Sequence, residues 1–174
     1  MDTIDAIMKR KSIRKYTQQE ISEEDLQTLL KAGMSGPVCV NARDWSFIVV
    51  RSPEMLNKMA DANGRPAEPL RKAALGILVC GDLQRAFPRA SEYWVIDGAI
   101  AAQNMILAAQ ALGIGSVWLG TWPQMDRVEK QRELFQLPET AVPHSIIAFG
   151  YPAEDPDKPG KPEWEADRIH YEKW

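Results

Sequence analysis

Residues 9–16 read Lys-Arg-Lys-Ser-Ile-Arg-Lys-Tyr. Five of the first seven side chains are basic, in a chain of 174 residues whose formal net charge is −3. A local cluster of this kind has a specific chemical use. Arg10 and Arg14 carry planar guanidinium groups that bond two phosphate oxygens at once. Lys11 adds a point charge and Ser12 a neutral hydroxyl donor. That set suits a phosphate monoester. The plainer account is a solvated helix end, where basic side chains complement the macrodipole for only about 0.3–1 kcal/mol each. Charge alone leaves the two accounts even. The serine between two arginines favours the anion.

Other sites that hold anions or metals are missing from the sequence. No glycine-rich loop ends in Gly-Lys-Ser or Gly-Lys-Thr. Gly113 and Gly115 form a Gly-x-Gly, but the residues after it read as a strand, not the helix a dinucleotide site needs. His144 and His170 have no cysteine or histidine partner at metal-ligand spacing, so no metal is expected. No Ser-His-Asp set can be assembled. Cys39 and Cys80 are the only cysteines and the start "MDTIDAIMKR" has no apolar signal region, so a reduced, cytoplasmic protein is expected. The apolar stretch 95–109 is broken by Asp97, Gln103 and Asn104, which argues against a membrane span. The acidic balance argues against nucleic acid. A small anionic partner remains.

The elements that must position the cluster are legible in outline. Asp2 or Thr3 caps a short helix carrying Ile4, Ile7 and Met8, and the basic residues fall at its end. Ser22 caps a second helix with Leu26, Leu29 and Leu30 on one face, stopped at Gly33 or Gly36. Strands are expected at 45–51, 75–82, 115–120 and 144–152. Ser52 followed by Pro53 opens a third helix. A long helix at 91–112 is apolar nearly all round, so several elements must pack on it. A further helix covers "QMDRVEKQRELFQL", and Gly113 and Gly115 read as helix stop and turn. Strands and helices alternate, so helices cover both faces of one sheet in one domain. Residues 153–174 are rich in proline and charge without periodicity, yet include Trp164, Ile169, Tyr171 and Trp174. Such a tail packs on something, and a second subunit is the natural choice.

Four segments, in order, resemble the FMN-dependent nitroreductase superfamily. "KRKSIRKY" is similar to its flavin-binding Arg-x-Ser-x-Arg segment. "GPVCVNARDW" (36–45) resembles its Pro-Ser-x-x-Asn-x-Gln-Pro-Trp segment. "DGAIAAQNMILAAQALGIGSVWLG" (97–120) resembles its central helix and following strand, and "AFGYPAEDPDKPGKP" (148–162) its last strand and basic tail. The resemblance implies an α+β fold, with a mixed, mostly antiparallel sheet between helices in α/β/α layers, forming an intertwined homodimer. Residues 1–152 would be the flavin-binding domain and 153–174 an extension of it across the partner.

The resemblance also implies roles. Arg10, Lys11 and Ser12 would bind the FMN phosphate, completed by Lys158 or Lys161 of the tail, with Lys161 preferred. Arg14 would sit near the pyrimidine edge and stabilise the charge that builds on reduction. Pro37, Val38 and Asn41 match positions that touch the flavin of the other subunit. Leu119 and Gly120 match backbone contacts near flavin N5 and O4. Asn41 alone reads as a turn residue and Gly120 alone as a strand end. Gln103 and Asn104 are expected to satisfy buried backbone. Val38, Arg43 and Asp44 depart from the family's usual Ser, Gln and Pro, and Arg43 and Asp44 pair with each other or with neighbours.

The implied activity is an FMN-dependent oxidoreductase. NADH or NADPH would deliver hydride to flavin N5, and an electron-poor acceptor such as a nitroaromatic or quinone would then take the same face, in ping-pong order. No side chain need act as catalyst. Two alternatives stand beside it. One is another flavin reaction of the superfamily, namely dehydrogenation, dehalogenation or flavin cleavage, for which only the loop 61–72 is available as a lid. The other is a non-enzymatic module binding a phosphorylated metabolite or flavin.

Overall fold

The computed structural model describes residues 1–153 and 164–174. Among these described residues, five α-helices and four strands follow in chain order. They are α1 Thr3–Lys9, α2 Glu23–Met34, β1 Trp45–Val50, α3 Pro53–Asn63, β2 Leu75–Asp82, α4 Tyr93–Ala111, β3 Gly115–Gly120, α5 Met125–Phe135 and β4 Ala141–Gly150. Helix starts follow local chemistry. Asp2 accepts the Asp5 N–H at 2.9 Å, and Ser22 the Asp25 N–H at 3.0 Å. Ser52 caps α3 with Pro53 at its first turn, where no N–H is missed. Gly113, with φ 74°, ends α4. Gly33 is not a stop: it lies inside α2, where a Cβ would come within 3.0 Å of Met105, and so marks a close approach to α4.

The strands form one sheet in the order β1-β2-β4-β3, every neighbouring pair antiparallel. The central strands β2 and β4 are buried along nearly their whole length. Leu56, Met59, Leu70, Leu78, Val117, Leu119 and Ile146 pack on one face with α3. Leu26, Leu29, Ile77, Val79, Met105, Ile147 and Phe149 pack on the other, with α2 and α4. The expected three layers are present. β4 begins at Ala141, earlier than the sequence suggests. Pro143 sits in it, opposite Cys80, next to a register shift that leaves His144 as an extra residue between Val79–Ser145 and Cys80–Pro143. That bulge turns His144 toward α4, where a Cβ on Gly98 would lie 3.1 Å from its ring.

Segment 61–72 is not an open loop. α3 continues to Asn63, and Arg65–Lys72 is a 3-10 turn whose Ala67, Pro69 and Leu70 are buried. It closes the core rather than covering a site. On the opposite side much apolar surface stays open. Ile4, Ile7 and Met8 of α1 and Tyr93 and Ile96 of α4 are exposed. Val95, Ile96, Ala99 and Ile100 line an open groove of about 500 Å³. Among the described residues no helix is long and apolar enough to cross a membrane.

Candidate functional site

The basic segment is fixed by the edge of the sheet. α1 ends at Lys9, and Arg10 turns to extended backbone at φ −57°, ψ 131°. The chain then runs beside β3: Ser12 makes a parallel bridge to Ser116, and the Ile13 N–H donates to the Ser116 carbonyl at 2.8 Å. This is the parallel component of an otherwise antiparallel sheet. Next, Tyr16 bridges Pro152, Thr17 N–H donates to the Tyr151 carbonyl at 2.8 Å, and Ala153 N–H to the Lys15 carbonyl at 3.0 Å. The Tyr16 hydroxyl donates to the Ile13 carbonyl at 2.6 Å, and burial pushes its phenol far up. Gly115 and Gly150 let the segment lie this close. A Cβ on Gly115 would come within 2.9 Å of Ile13, and one on Gly150 within 2.8 Å of the Tyr16 ring. Gly115 is therefore a packing residue at the start of β3, not the turn its neighbours suggest. Arg10 and Lys11 are half-buried, while Ser12 and Arg14 are exposed.

The other end of β3 is shaped differently. The Ser116 carbonyl points off the sheet edge, so with a period of two the backbone of Trp118 and Gly120 does so as well. The Gly120 carbonyl accepts from Arg127 Nη1 at 2.8 Å and from Asn63 Nδ2 at 3.2 Å. Asn63 Oδ1 in turn accepts the Thr121 hydroxyl at 2.9 Å. Asn63 and Thr121 are fully buried. Three elements thus fix one peptide, and a Cβ on Gly120 would meet nothing within 4 Å. Leu119 sends its side chain into the core and turns its backbone to Ile146 of β4, so Gly120 is the one of the two whose backbone faces this edge. Ser12 and Gly120 are one strand apart, about 13 Å by the rise of four residues.

The segment at 37–41 lies elsewhere. Pro37 and Asn41 are exposed and Val38 half-buried. Val40, Asn41 and Arg43 all have left-handed backbone, with φ 42°, 58° and 50°. For the β-branched Val40 that costs of order 1–3 kcal/mol. The Cys39 N–H donates to both oxygens of Asp97, at 3.2 and 3.0 Å, which ties the loop to the first half of α4. That is next to Gly98 and His144, away from the Ser12 end of β3. One chain does not bring segments 10–14 and 37–41 together. Arg43 and Asp44 do not pair with each other. Arg43 Nε donates to Asn41 Oδ1 at 3.3 Å, and Asp44 is buried beside Asp97. Half-buried Asn104 donates its Nδ2 to the Ala32 carbonyl at 3.2 Å, satisfying backbone as expected. Gln103 does not do the same: it is exposed on the open groove.

His144 is buried against the edges of Trp94 and Trp118, with ring centroids 5.9 and 5.6 Å apart. Burial pushes it down to about 4, so it is neutral and serves as packing. Among the described residues no group of three or more His, Cys, Asp or Glu is placed to hold a metal. Lys158 and Lys161 lie outside the described residues. The residues the sequence did not reveal are Asn63, Thr121, Arg127 and Asp97. Asn63 precedes Gly64 and looks like a turn. Asp97 carried one signal, a lone acid in an apolar helix.

Comparison with known proteins agrees with this geometry. The model of the nitroreductase family matches residues 7–80 and 65–151. A protein of Methanothermobacter thermautotrophicus assigned as an NADH dehydrogenase/NAD(P)H nitroreductase is 45% identical over 174 residues, covering 100% of this chain and 88% of its own. The FMN-dependent nitroreductase of Clostridium difficile superposes with a TM-score of 0.86 at 29% identity, over 98% of this chain and 99% of its own. The NADPH:FMN oxidoreductase of Vibrio harveyi, solved with NAD+, gives 0.87 at 27% identity, over 99% and 77%. With its sheet order, its basic edge segment and matches that span almost its whole length, the chain belongs to the nitroreductase family.

Proposed function

We propose that the chain is an FMN-dependent NAD(P)H oxidoreductase that works as a homodimer, with each flavin between the two subunits. The observation that carries this is the layout of β3. A basic segment is stitched to its start, and an open glycine backbone lies at its end, one strand away. FMN is elongated, with a phosphate at one end and a ring at the other, and matches that layout. Arg10, Lys11 and Ser12 hold the phosphate, joined by Lys161 or Lys158. Arg14 stands at the pyrimidine edge, where a cation favours the reduced, anionic ring. Gly120 meets the ring with backbone only, Leu119 anchors that strand end in the core, and Arg127 keeps the Gly120 backbone in place while adding positive charge nearby. Pro37, Val38 and Asn41 serve the flavin of the partner, which accounts for their distance from Ser12 in one chain. The groove on α4 and the exposed face of α1 are the surfaces that a second subunit covers.

When bound, FMN supplies hydride and electron transfer between NAD(P)H and an electron-poor acceptor such as a nitroaromatic or quinone. The chain's part is to bind, orient and leave one ring face open to both in turn, which gives ping-pong kinetics. Purified protein is therefore yellow, carries about one FMN per subunit, and bleaches on adding NADH without oxygen. Yellow protein that does not bleach with NADH or NADPH would point to another flavin reaction. Colourless protein that takes up no FMN would leave only a phosphometabolite-binding module.

Arg10→Ala weakens FMN binding by about 1.5–3 kcal/mol, the usual worth of a hydrogen bond to a charged group. Flavin fluorescence titration measures it. The gap to wild type narrows as salt rises, because screening already weakens the wild-type contact. An unchanged affinity in a folded variant returns Arg10 to a helix-end charge.

A further inference from the structure

The loop between α2 and β1 holds three left-handed residues that are not glycine, Val40, Asn41 and Arg43. Something must keep it so. Three backbone contacts help: Ala42 N–H to the Cys39 carbonyl at 2.8 Å, Asp82 N–H to the Asp44 carbonyl at 2.5 Å, and Arg85 Nε to the Arg43 carbonyl at 3.0 Å. The remaining tie is a pair of carboxyl groups. Asp97 receives the Cys39 N–H on both its oxygens. Asp44, at the loop's far end, is within hydrogen-bonding reach of Asp97. Asp44 is 1% exposed and Asp97 2%. Among the described residues, neither oxygen of Asp44 has a hydrogen-bond donor. Two carboxylates buried together without a cation do not both stay ionised.

We propose that Asp44 and Asp97 share one proton, and that this hydrogen-bonded pair is the latch that holds residues 38–43 in the shape that meets the flavin. Asp44 and Asp97 act through the loop, so they are positioning residues. The latch's purpose rests on the function proposed for the chain. The shared proton stands apart from that function, on the burial of both carboxyls, the unpartnered oxygens of Asp44 and the neighbouring Asp97.

The charges that face Asp44 come from two elements. Asp97 faces it from α4 and Asp82 from the end of β2, both carboxylates. The Cys39 thiol lies close to both Asp44 and Asp97 and is itself pushed up by its burial and by them. Burial first, then Asp97, raises Asp44 to about 6. A carboxyl raised in the folded state favours the protonated form. The latch is therefore complete below its ordinary range, near 4, and is lost as pH rises through about 6. Above that the pair carries two charges and pushes the loop away.

Infrared spectra of the protein with 13C-labelled aspartate, from about pH 4.5 to 8, test the shared proton without any flavin. These limits bracket the expected transition. An acid C=O component that fades with a midpoint near 6, above the ordinary aspartate range, is expected, and that component is absent in Asp44→Asn. FMN affinity tests the latch. In wild type the Kd rises above the midpoint by up to about tenfold per pH unit, the limit for one linked proton. In Asp44→Asn the amide takes the place of the shared proton and this rise is lost, leaving only the opposite effect of the FMN phosphate, whose second ionisation at about pH 6 acts on both proteins alike. A wild-type acid band with no component whose midpoint lies near 6 would overturn the shared proton. An Asp44→Asn variant with the wild-type pH dependence of FMN affinity would overturn the latch. If Asp44→Asn does not fold, Asp97→Asn is measured the same way, and the same two results count for or against. If no flavin binds at any pH, the proposed function fails and the infrared result still decides the pair.

Discussion

Replacing Trp94 with alanine lowers the unfolding free energy by about 3–5 kcal/mol, in the range for a large aromatic removed from a core. Trp94 is buried at the start of α4, edge-on to Trp122 with centroids 5.1 Å apart and to His144 at 5.9 Å. The sheet makes room for it at one glycine. A Cβ on Gly81 would come within 2.3 Å of the indole. The walls are strand backbone, Trp122 and His144, which collapse poorly, so the cavity persists. Urea denaturation at fixed protein and flavin concentration measures the loss. A change below about 1 kcal/mol would mean the site closes over the gap.

The same variant changes the acid limb of stability. His144 is held down to about 4 by burial. A histidine lowered in the folded state contributes stability that is present above its ordinary value, near 6.5, and is lost as pH falls toward 4. Water in the Trp94 cavity raises His144 toward its ordinary value. The variant then loses less further stability between pH 6.5 and 4 than wild type does, and proton NMR of the His144 ring follows the shift directly.

Ending the chain at Ala153 abolishes the dimer and releases FMN together. In a single chain Trp164 is 80% exposed, Tyr171 is 85% exposed and Trp174 is wholly so. Ile4, Ile7 and Met8 on α1 and Ile96 on α4 are exposed too. Separate patches of this kind on one small protein mark surfaces that bind. A tail that crosses to a second subunit, as proposed, would cover both sets. Sedimentation velocity and the bound-flavin spectrum, run on the same sample, read the two losses. A yellow, fully dimeric shortened protein would show that the tail does neither job.

Most of the fold was legible because its signals are local. Ser22 with Asp25, Ser52 with Pro53, and the apolar strands at 45–51, 75–82 and 115–120 name their structure within a few residues. The misreadings have physical causes. Pro143 looked like the edge of β4 because a proline breaks a regular ladder, yet it sits beside a bulge that tolerates it. Pro66 and Pro69 made 61–72 look like a loop, but a 3-10 turn accepts them and buries Leu70. The basic cluster was legible for the same local reason. The support under Gly120 was not, because Asn63 reaches it across 57 residues of chain. Nor was the Asp97 contact to Cys39, at a separation of 58.

The stitching of residues 12–17 to Ser116 and Pro152 sets an order of assembly during synthesis. The basic segment leaves the ribosome more than a hundred residues ahead of its strand partners. Tyr16 waits for more than a hundred residues before Ala148 and Pro152 exist to receive it. Contacts of such long sequence separation form late and slowly. A nascent chain halted before β3 presents its arginines on a loose arm with no sheet edge beneath them. If this segment holds the FMN phosphate, as proposed, cofactor capture waits until β3 and the end of β4 have been made, and free FMN is of no use to the chain before that point.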